Sequence, residues 1–167
     1  MAYPTEAVYG LGCMPLETDA VARLLRIKNR SADKGLILIA ADLTQLDHMI
    51  QLPEPPLEQQ ILNSWPGPST WLLPAAAWVP DWLTGGRDTL AVRVTAHPMA
   101  AELCRHCESP LVATSANRAG RPPLRSALAV RRQLGKDIDY VLAGPLGGQR
   151  RPTEMRDGTT GAVVRPS

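Results

Sequence analysis

A chain of 167 residues with 44% hydrophobic and 20% charged side chains has the size of one domain, has enough apolar material for its own core, and lies outside the disordered compositions. Its formal net charge of +2 and its three cysteines exclude a polyelectrolyte and a disulfide framework. The longest apolar run, residues 36–41, is far too short to span a bilayer. The opening residues contain Pro4 and Glu6 and no basic start, so the expectation is a cytoplasmic protein with neither signal peptide nor membrane partner.

Sixteen prolines and thirteen glycines cut the chain into short elements. Thr18 or Asp19 can cap a helix that runs to about Lys28, with Val21, Leu24 and Leu25 on its apolar face. Residues 35–39 read as a buried strand, short helices follow Asp42 and Pro56, and strands are predicted at 70–73 and 89–94. Pro98 opens a helix ending near Cys107, a strand covers 110–114, and Ser126 can cap a helix to about Leu134. Late strands are predicted at 138–142 and 162–164. Strands and helices alternate, with several strand-to-strand steps that lack a helix. The fold class is therefore α/β, a single-domain twisted mixed sheet flanked by helices.

Neither common phosphate loop is present. There is no GxxxxGK[ST] sequence, and Gly10-Leu11-Gly12 lacks the third glycine of a dinucleotide fingerprint. The cations are unevenly distributed. In residues 118–156, nine basic residues (Arg118, Arg121, Arg125, Arg131, Arg132, Lys136, Arg150, Arg151, Arg156) face three acids (Asp137, Asp139, Glu154), a local excess of +6. Such an excess suits phosphate or nucleic acid, and it equally describes a solvated basic face.

Four polar groups stand out. Lys28, Arg30 and Lys34 follow one another at a helix end and in the loop before a buried strand. They either complement the helix dipole or clamp a triphosphate, Arg through its planar fork and Lys as point charges. Ser115-Ala116-Asn117 lies just past a strand end, where open α/β sheets bind ligands and where Ser and Asn also simply make turns. Trp65-Pro66-Gly67-Pro68-Ser69-Thr70 is a rigid turn into a strand. In Thr89-Leu90-Ala91-Val92-Arg93, alternation points Thr89, Ala91 and Arg93 to one face. An arginine on so apolar a strand needs a partner, either a substrate carboxylate or a structural one. Cys104-Arg105-His106-Cys107 is CxxC-like but falls at an expected helix C-terminus, which disfavours thiolate. The remaining Cys and His have no zinc spacing, so no metal site is expected.

Taken together, these residues resemble the YrdC/TsaC family, the threonylcarbamoyl-AMP synthases. The segment Tyr3-Pro4-Thr5-Glu6-Ala7-Val8-Tyr9-Gly10-Leu11-Gly12 matches the opening signature. Lys28-Asn29-Arg30 with Lys34-Gly35-Leu36-Ile37-Leu38-Ile39-Ala40 matches the lysine–arginine segment of short bacterial members. Residues 65–70, 90–94, Ser115-Ala116-Asn117 with Gly120, 153–157 and Val164-Arg165-Pro166 follow in the family's order. The resemblance implies one YrdC-like domain over residues 1–167 with a concave basic face. It also implies condensation of L-threonine, bicarbonate and ATP, with Mg2+, to threonylcarbamoyl-AMP and pyrophosphate. Partner proteins would then pass the group to adenosine 37 of tRNA, giving the t6A modification. Carried over by motif, Arg30, Lys34, Thr89, Asn117 and Arg165 would contact ATP, with Lys28, Arg30 and Lys34 as the catalytic cations. Thr5, Arg93, Ser115 and Thr153 would contact threonine. The alternative is a double-stranded RNA-binding module of the same fold, acting in ribosome or tRNA maturation. Relatives carry a helix and most of a strand before Tyr-Pro-Thr, whereas this chain starts at Met1-Ala2-Tyr3. Ala7 stands where many relatives have threonine. An N-terminally short domain is expected to leave a sheet edge unpaired and apolar surface bare.

Overall fold

The computed structural model describes residues 1–149, 151 and 153–166. Its sheet is built from the middle outward. The β-branched and leucine-rich segments β3 (Ile37–Ala40) and β5 (Thr89–Val94) run parallel. β6 (Leu111–Ser115) pairs antiparallel with β3, and β4 (Ser69–Pro74) antiparallel with β5. On one flank β2 (Tyr9–Leu11) joins β6 and β1 (Ala2–Pro4) joins β2. On the other, β7 (Glu154–Asp157) runs parallel to β4 and β8 (Val163–Arg165) closes the edge. The order is β1-β2-β6-β3-β5-β4-β7-β8, the expected mixed sheet.

Alternation divides the core. Leu38, Ala40, Leu90, Val92, Val94 and Val112 face one way. They pack with Val21 and Leu24 of α1 (Thr18–Lys28), Ile61 of α2 (Leu57–Asn63), Leu83 of α3 (Asp81–Thr84), and Val130 and Leu134 of α5 (Ala127–Leu134). Tyr3, Ile39, Ala41, Leu111 and Ala113 face the other way, against Ala100, Ala101 and Cys104 of α4 (Pro98–His106). α4 has nine residues, about 13 Å at 1.5 Å per residue, so it covers only part of this second face. The uncovered part becomes the site.

Local chemistry sets the helix ends. Ser126 Oγ accepts from Ala129 N at 3.2 Å, as expected for a cap. His97 Nδ1 accepts from Ala100 N at 3.4 Å, with Pro98 at the first helical position. Because Nδ1 accepts, the ring proton lies on Nε2, which donates to Pro145 O at 3.1 Å. Gly12 is required by close approach: a Cβ there would sit 2.6 Å from the Tyr3 ring and nearer still to Val112 O.

Several boundaries differ from the sequence reading. The segment 138–142 is not a strand. Only Val141 bridges to Ala2, with Ala2 N donating to Tyr140 O at 2.8 Å and Leu142 N to Ala2 O at 2.9 Å. Its buried residues, Ile138 and Val141, are three apart, a spacing that a straight strand cannot point to one face. This segment covers the outer edge of β1 at Ala2, where an unpaired edge was expected. The helix after Asp42 is a single 3-10 turn, Leu43–Gln45. β1 and β2 lie inside the opening motif, and α3 and β7 were not foreseen as elements.

Candidate active site

On the second face, where α4 stops, the sheet floor opens into a cavity of about 220 Å³. Ile37 of β3, Arg93 of β5, and Ala113 and Ser115 of β6 form part of its floor, and Thr5, Thr153, Arg30 and Arg165 help to close it. Six residues expected at a site from sequence therefore meet here: Thr5, Arg30, Arg93, Ser115, Thr153 and Arg165.

The inner end is buried and polar. Arg93 is 5% exposed, Glu6 5% and Thr153 8%. Arg93 Nη1 donates to Thr153 Oγ1 at 2.8 Å and Nη2 to Glu6 Oε2 at 3.2 Å. Arg93 Nε is buried with no partner among the described residues. Glu6 is held in turn by Thr95 Oγ1, which donates to Oε1 at 2.6 Å. The arginine on the apolar strand thus has a structural carboxylate as its partner. Glu6 was not among the sequence-based site residues. The signal was present in two halves, an acid inside an apolar opening segment and an arginine inside an apolar strand, each needing the other.

The outer end carries two further guanidinium groups. Asn29 takes the left-handed conformation (φ 48°) at the end of α1, which turns the chain so that Arg30 enters the cavity wall. Arg30 Nη2 donates to Gly35 O at 3.0 Å, and its Nε is buried without a partner among the described residues. Arg165, on edge strand β8, donates through Nη2 to Thr153 O at 3.1 Å. Desolvation, then the charge of Arg165, lowers the proton affinity of Arg30, and desolvation followed by Arg93 does the same to Arg165. Among the described residues, three guanidinium groups and the carboxylate of Glu6 are the charged groups in the wall, a net +2 that favours an anion.

Behind Ser115, Lys28 is 5% exposed. Its ammonium donates to Ser115 O, to Asn117 O at 3.1 Å and to Asn117 Oδ1 at 3.0 Å. Burial, reinforced by Arg30, lowers its pKa to about 8. Asn117 Oδ1 also accepts from Ser115 Oγ at 2.6 Å, while Nδ2 donates to Arg121 O at 2.6 Å and Arg118 O at 3.2 Å. Lys28 and Asn117 therefore lock the loop after β6 and are not in the cavity wall. Lys34 is exposed on the 3-10 turn Ala32–Lys34 and Thr89 lies at the start of β5 opposite Pro74. Neither lines the cavity.

Three arginines of the basic stretch 118–156 are engaged within the fold. Arg118 pairs with Asp137 at 2.6 Å, Arg156 pairs with Glu154 at 2.8 Å and lies over Trp71, and Arg131 donates to Val141 O. Arg150 falls outside the described residues. Cys104 is buried in the last turns of α4, and burial pushes its thiol up to about 12. Among the described residues no group of three or more His, Cys, Asp or Glu could hold a metal ion, and no helix is long and apolar enough to cross a membrane.

Comparison with known proteins gives this geometry a lineage. The Sua5/YciO/YrdC family model, described as "Telomere recombination", matches residues 1–167. A threonylcarbamoyl-AMP synthase of Alkalilimnicola ehrlichii is 55% identical over 168 aligned positions, covering 99% of this chain and 87% of its own. The crystal structure of P. abyssi Sua5 complexed with L-threonine superposes with a TM-score of 0.91 at 36% identity, covering 99% of this chain and 49% of that one. This chain thus spans about half the length of that protein. E. coli YciO superposes with a TM-score of 0.83 at 28% identity, over 98% of this chain and 81% of that one. A family model matched from end to end, and a relative more than half identical over nearly the whole chain, place this protein in the Sua5/YciO/YrdC family.

Proposed function

We propose that the chain is a threonylcarbamoyl-AMP synthase that uses L-threonine, bicarbonate and ATP. The observation that carries this reading is the convergence of three guanidinium groups and the hydroxyls of Thr5, Ser115 and Thr153 on one cavity. Curated relatives named as this synthase favour it over the double-stranded RNA-binding module.

The cavity is graded. Its buried end, with Thr5, Arg93, Ser115 and Thr153, suits a small ligand that has both a carboxylate and a hydroxyl, as threonine has. Its outer end, with Arg30 and Arg165, suits phosphate. At about 220 Å³ it is smaller than the roughly 300–1,000 Å³ of sites that engulf a whole drug-sized molecule. The amino acid and the α-phosphate fit inside, and the nucleoside lies beyond the rim, toward Lys34 and Thr89. Lys28 and Asn117 act by holding Ser115.

In the reaction the threonine amine adds to the bicarbonate carbon and water leaves, giving a carbamate. A carbamate oxygen attacks the α-phosphorus, and the bond to the β-phosphate oxygen breaks to release pyrophosphate. Charge grows on the phosphoryl oxygens, where Arg30 and Arg165 stabilise it without reorganising. Magnesium belongs to the substrate as Mg-ATP. Among the described residues Glu6 is the one carboxylate in the wall, and it is already engaged by Arg93 and Thr95, so these residues offer no resident metal site. Transfer of the product to adenosine 37 of tRNA through partner proteins, in the cytoplasm, completes the proposed role. Leaving out each substrate in turn tests it: pyrophosphate release requires all three, and release that persists without threonine or without bicarbonate contradicts the reading.

A further inference from the structure

We infer that Glu6 is a positioning residue that sets the geometry of Arg93, and that through Arg93 it governs affinity for the amino-acid substrate and not for ATP. The inference rests on the synthase reading for the ligand's identity and on the hydrogen-bond network for the rest.

The network joins three distant segments. Glu6 lies between β1 and β2, Arg93 and Thr95 lie on and just after β5, and Thr153 precedes β7. The Glu6 carboxylate accepts from Arg93 Nη2 at 3.2 Å and from Thr95 Oγ1 at 2.6 Å, and all three residues are at most 5% exposed. Thr95 is itself fixed, because its Oγ1 accepts from His97 N at 3.2 Å. The Glu6 main chain is fixed too, its carbonyl accepting from Gln149 N at 3.0 Å. With Nη2 committed to Glu6 and Nη1 to Thr153, the guanidinium has one orientation. Its Nε remains a buried donor without a partner among the described residues, on a side chain that lines the cavity. A buried donor left open costs free energy unless a ligand fills it, and an anionic oxygen is the acceptor that fits. Without the carboxylate, the buried arginine loses both its counter-charge and its orientation. Arg30 and Arg165 make no bond to Glu6 in this network, so phosphate binding is not expected to follow.

Thr95 separates positioning from direct contact, because it holds Glu6 and does not line the cavity. The test compares Glu6→Gln and Thr95→Val with the unsubstituted full chain, measuring KM for threonine and for ATP from pyrophosphate release. It also follows the Arg93 Nε–H resonance in 15N-labelled protein. We expect the threonine KM to rise about tenfold in Glu6→Gln and about threefold in Thr95→Val, with the ATP KM within about twofold. The Arg93 Nε–H signal should be slowly exchanging in the parent and broadened in both variants. Threonine and ATP KM rising together, or an unaltered threonine KM, would overturn the inference. If the parent releases no threonine-dependent pyrophosphate, the synthase reading fails. The Arg93 resonance then decides positioning alone: unchanged in both variants, it overturns the inference. Should Glu6→Gln fail to fold, Thr95→Val keeps the ion pair and decides by the same readings.

Discussion

Lys28 donates every proton of its ammonium to one loop, at Ser115 O, Asn117 O and Asn117 Oδ1. Burial lowers its pKa from the usual 10.5 to about 8. In the folded protein the proton is lost near pH 8, while the unfolded chain keeps it to about 10.5. Between those values the unfolded state binds more protons, so stability owed to Lys28 rises with pH there. Activity should move the opposite way, because a neutral amine offers two donors where the ammonium offers three, and the Ser115 loop loosens. We expect activity to fall above about pH 8, and Lys28→Met to be less active with no alkaline limb of this origin. Identical alkaline limbs in both pH–rate profiles would show that Lys28 does not hold the loop. At this scale the sequence was partly legible. Arg30, Arg93 and Ser115 stood out because each was a polar group at a strand or helix end that called for a partner. Glu6 did not, because its pairing with Arg93 spans 87 positions, and no local spacing encodes it.

α4 decides where the second sheet face is covered and where it is open. Its N-terminus is fixed by His97, whose two ring nitrogens engage Ala100 N and Pro145 O. His97→Ala should cost about 1 kcal/mol for the lost cap, a fall of roughly 2–4 °C in Tm for a domain of this size. An unchanged Tm would mean that the cap is not stabilising. At Gly12, just past β2, the backbone passes so close to Tyr3 and Val112 that a methyl group has no room. Gly12→Ala should destabilise by about 1–3 kcal/mol or more through overpacking, read from denaturant unfolding, and an unaffected midpoint would contradict that packing. Elements with a long alternating pattern, such as Thr89–Val94, were legible because period-two burial is written into the residues. The three-residue strands β1 and β2 were not, since pairing of β1 with β2 and of β2 with β6 makes them and not any local propensity. Segment 138–142 misled for the converse reason: its β-branched and apolar residues favour a strand, but tertiary contacts use it as a single bridge.

Across the whole molecule, one sheet face is a core shared by four helices, and the other is half core and half cavity. The cations at the cavity come from just past the end of α1, the C-terminal end of β5 and the edge strand β8, so the site forms only when the sheet is complete. The local charge excess in residues 118–156 did not predict this, because none of its described basic residues lines the cavity, and Arg118 and Arg156 are taken up in separate ion pairs. What makes the site is convergence of single cations from distant segments, each held by backbone carbonyls or by Glu6. The most direct measurement is threonine- and bicarbonate-dependent pyrophosphate release by Arg30→Ala beside the unsubstituted chain, with Tm recorded for both. We expect turnover to drop by about 10²–10³ at a nearly unchanged Tm, as for loss of one preorganised donor to a developing charge. Turnover within about twofold of the parent would show that Arg30 does not stabilise the reacting phosphate, and that the cavity does not work as described.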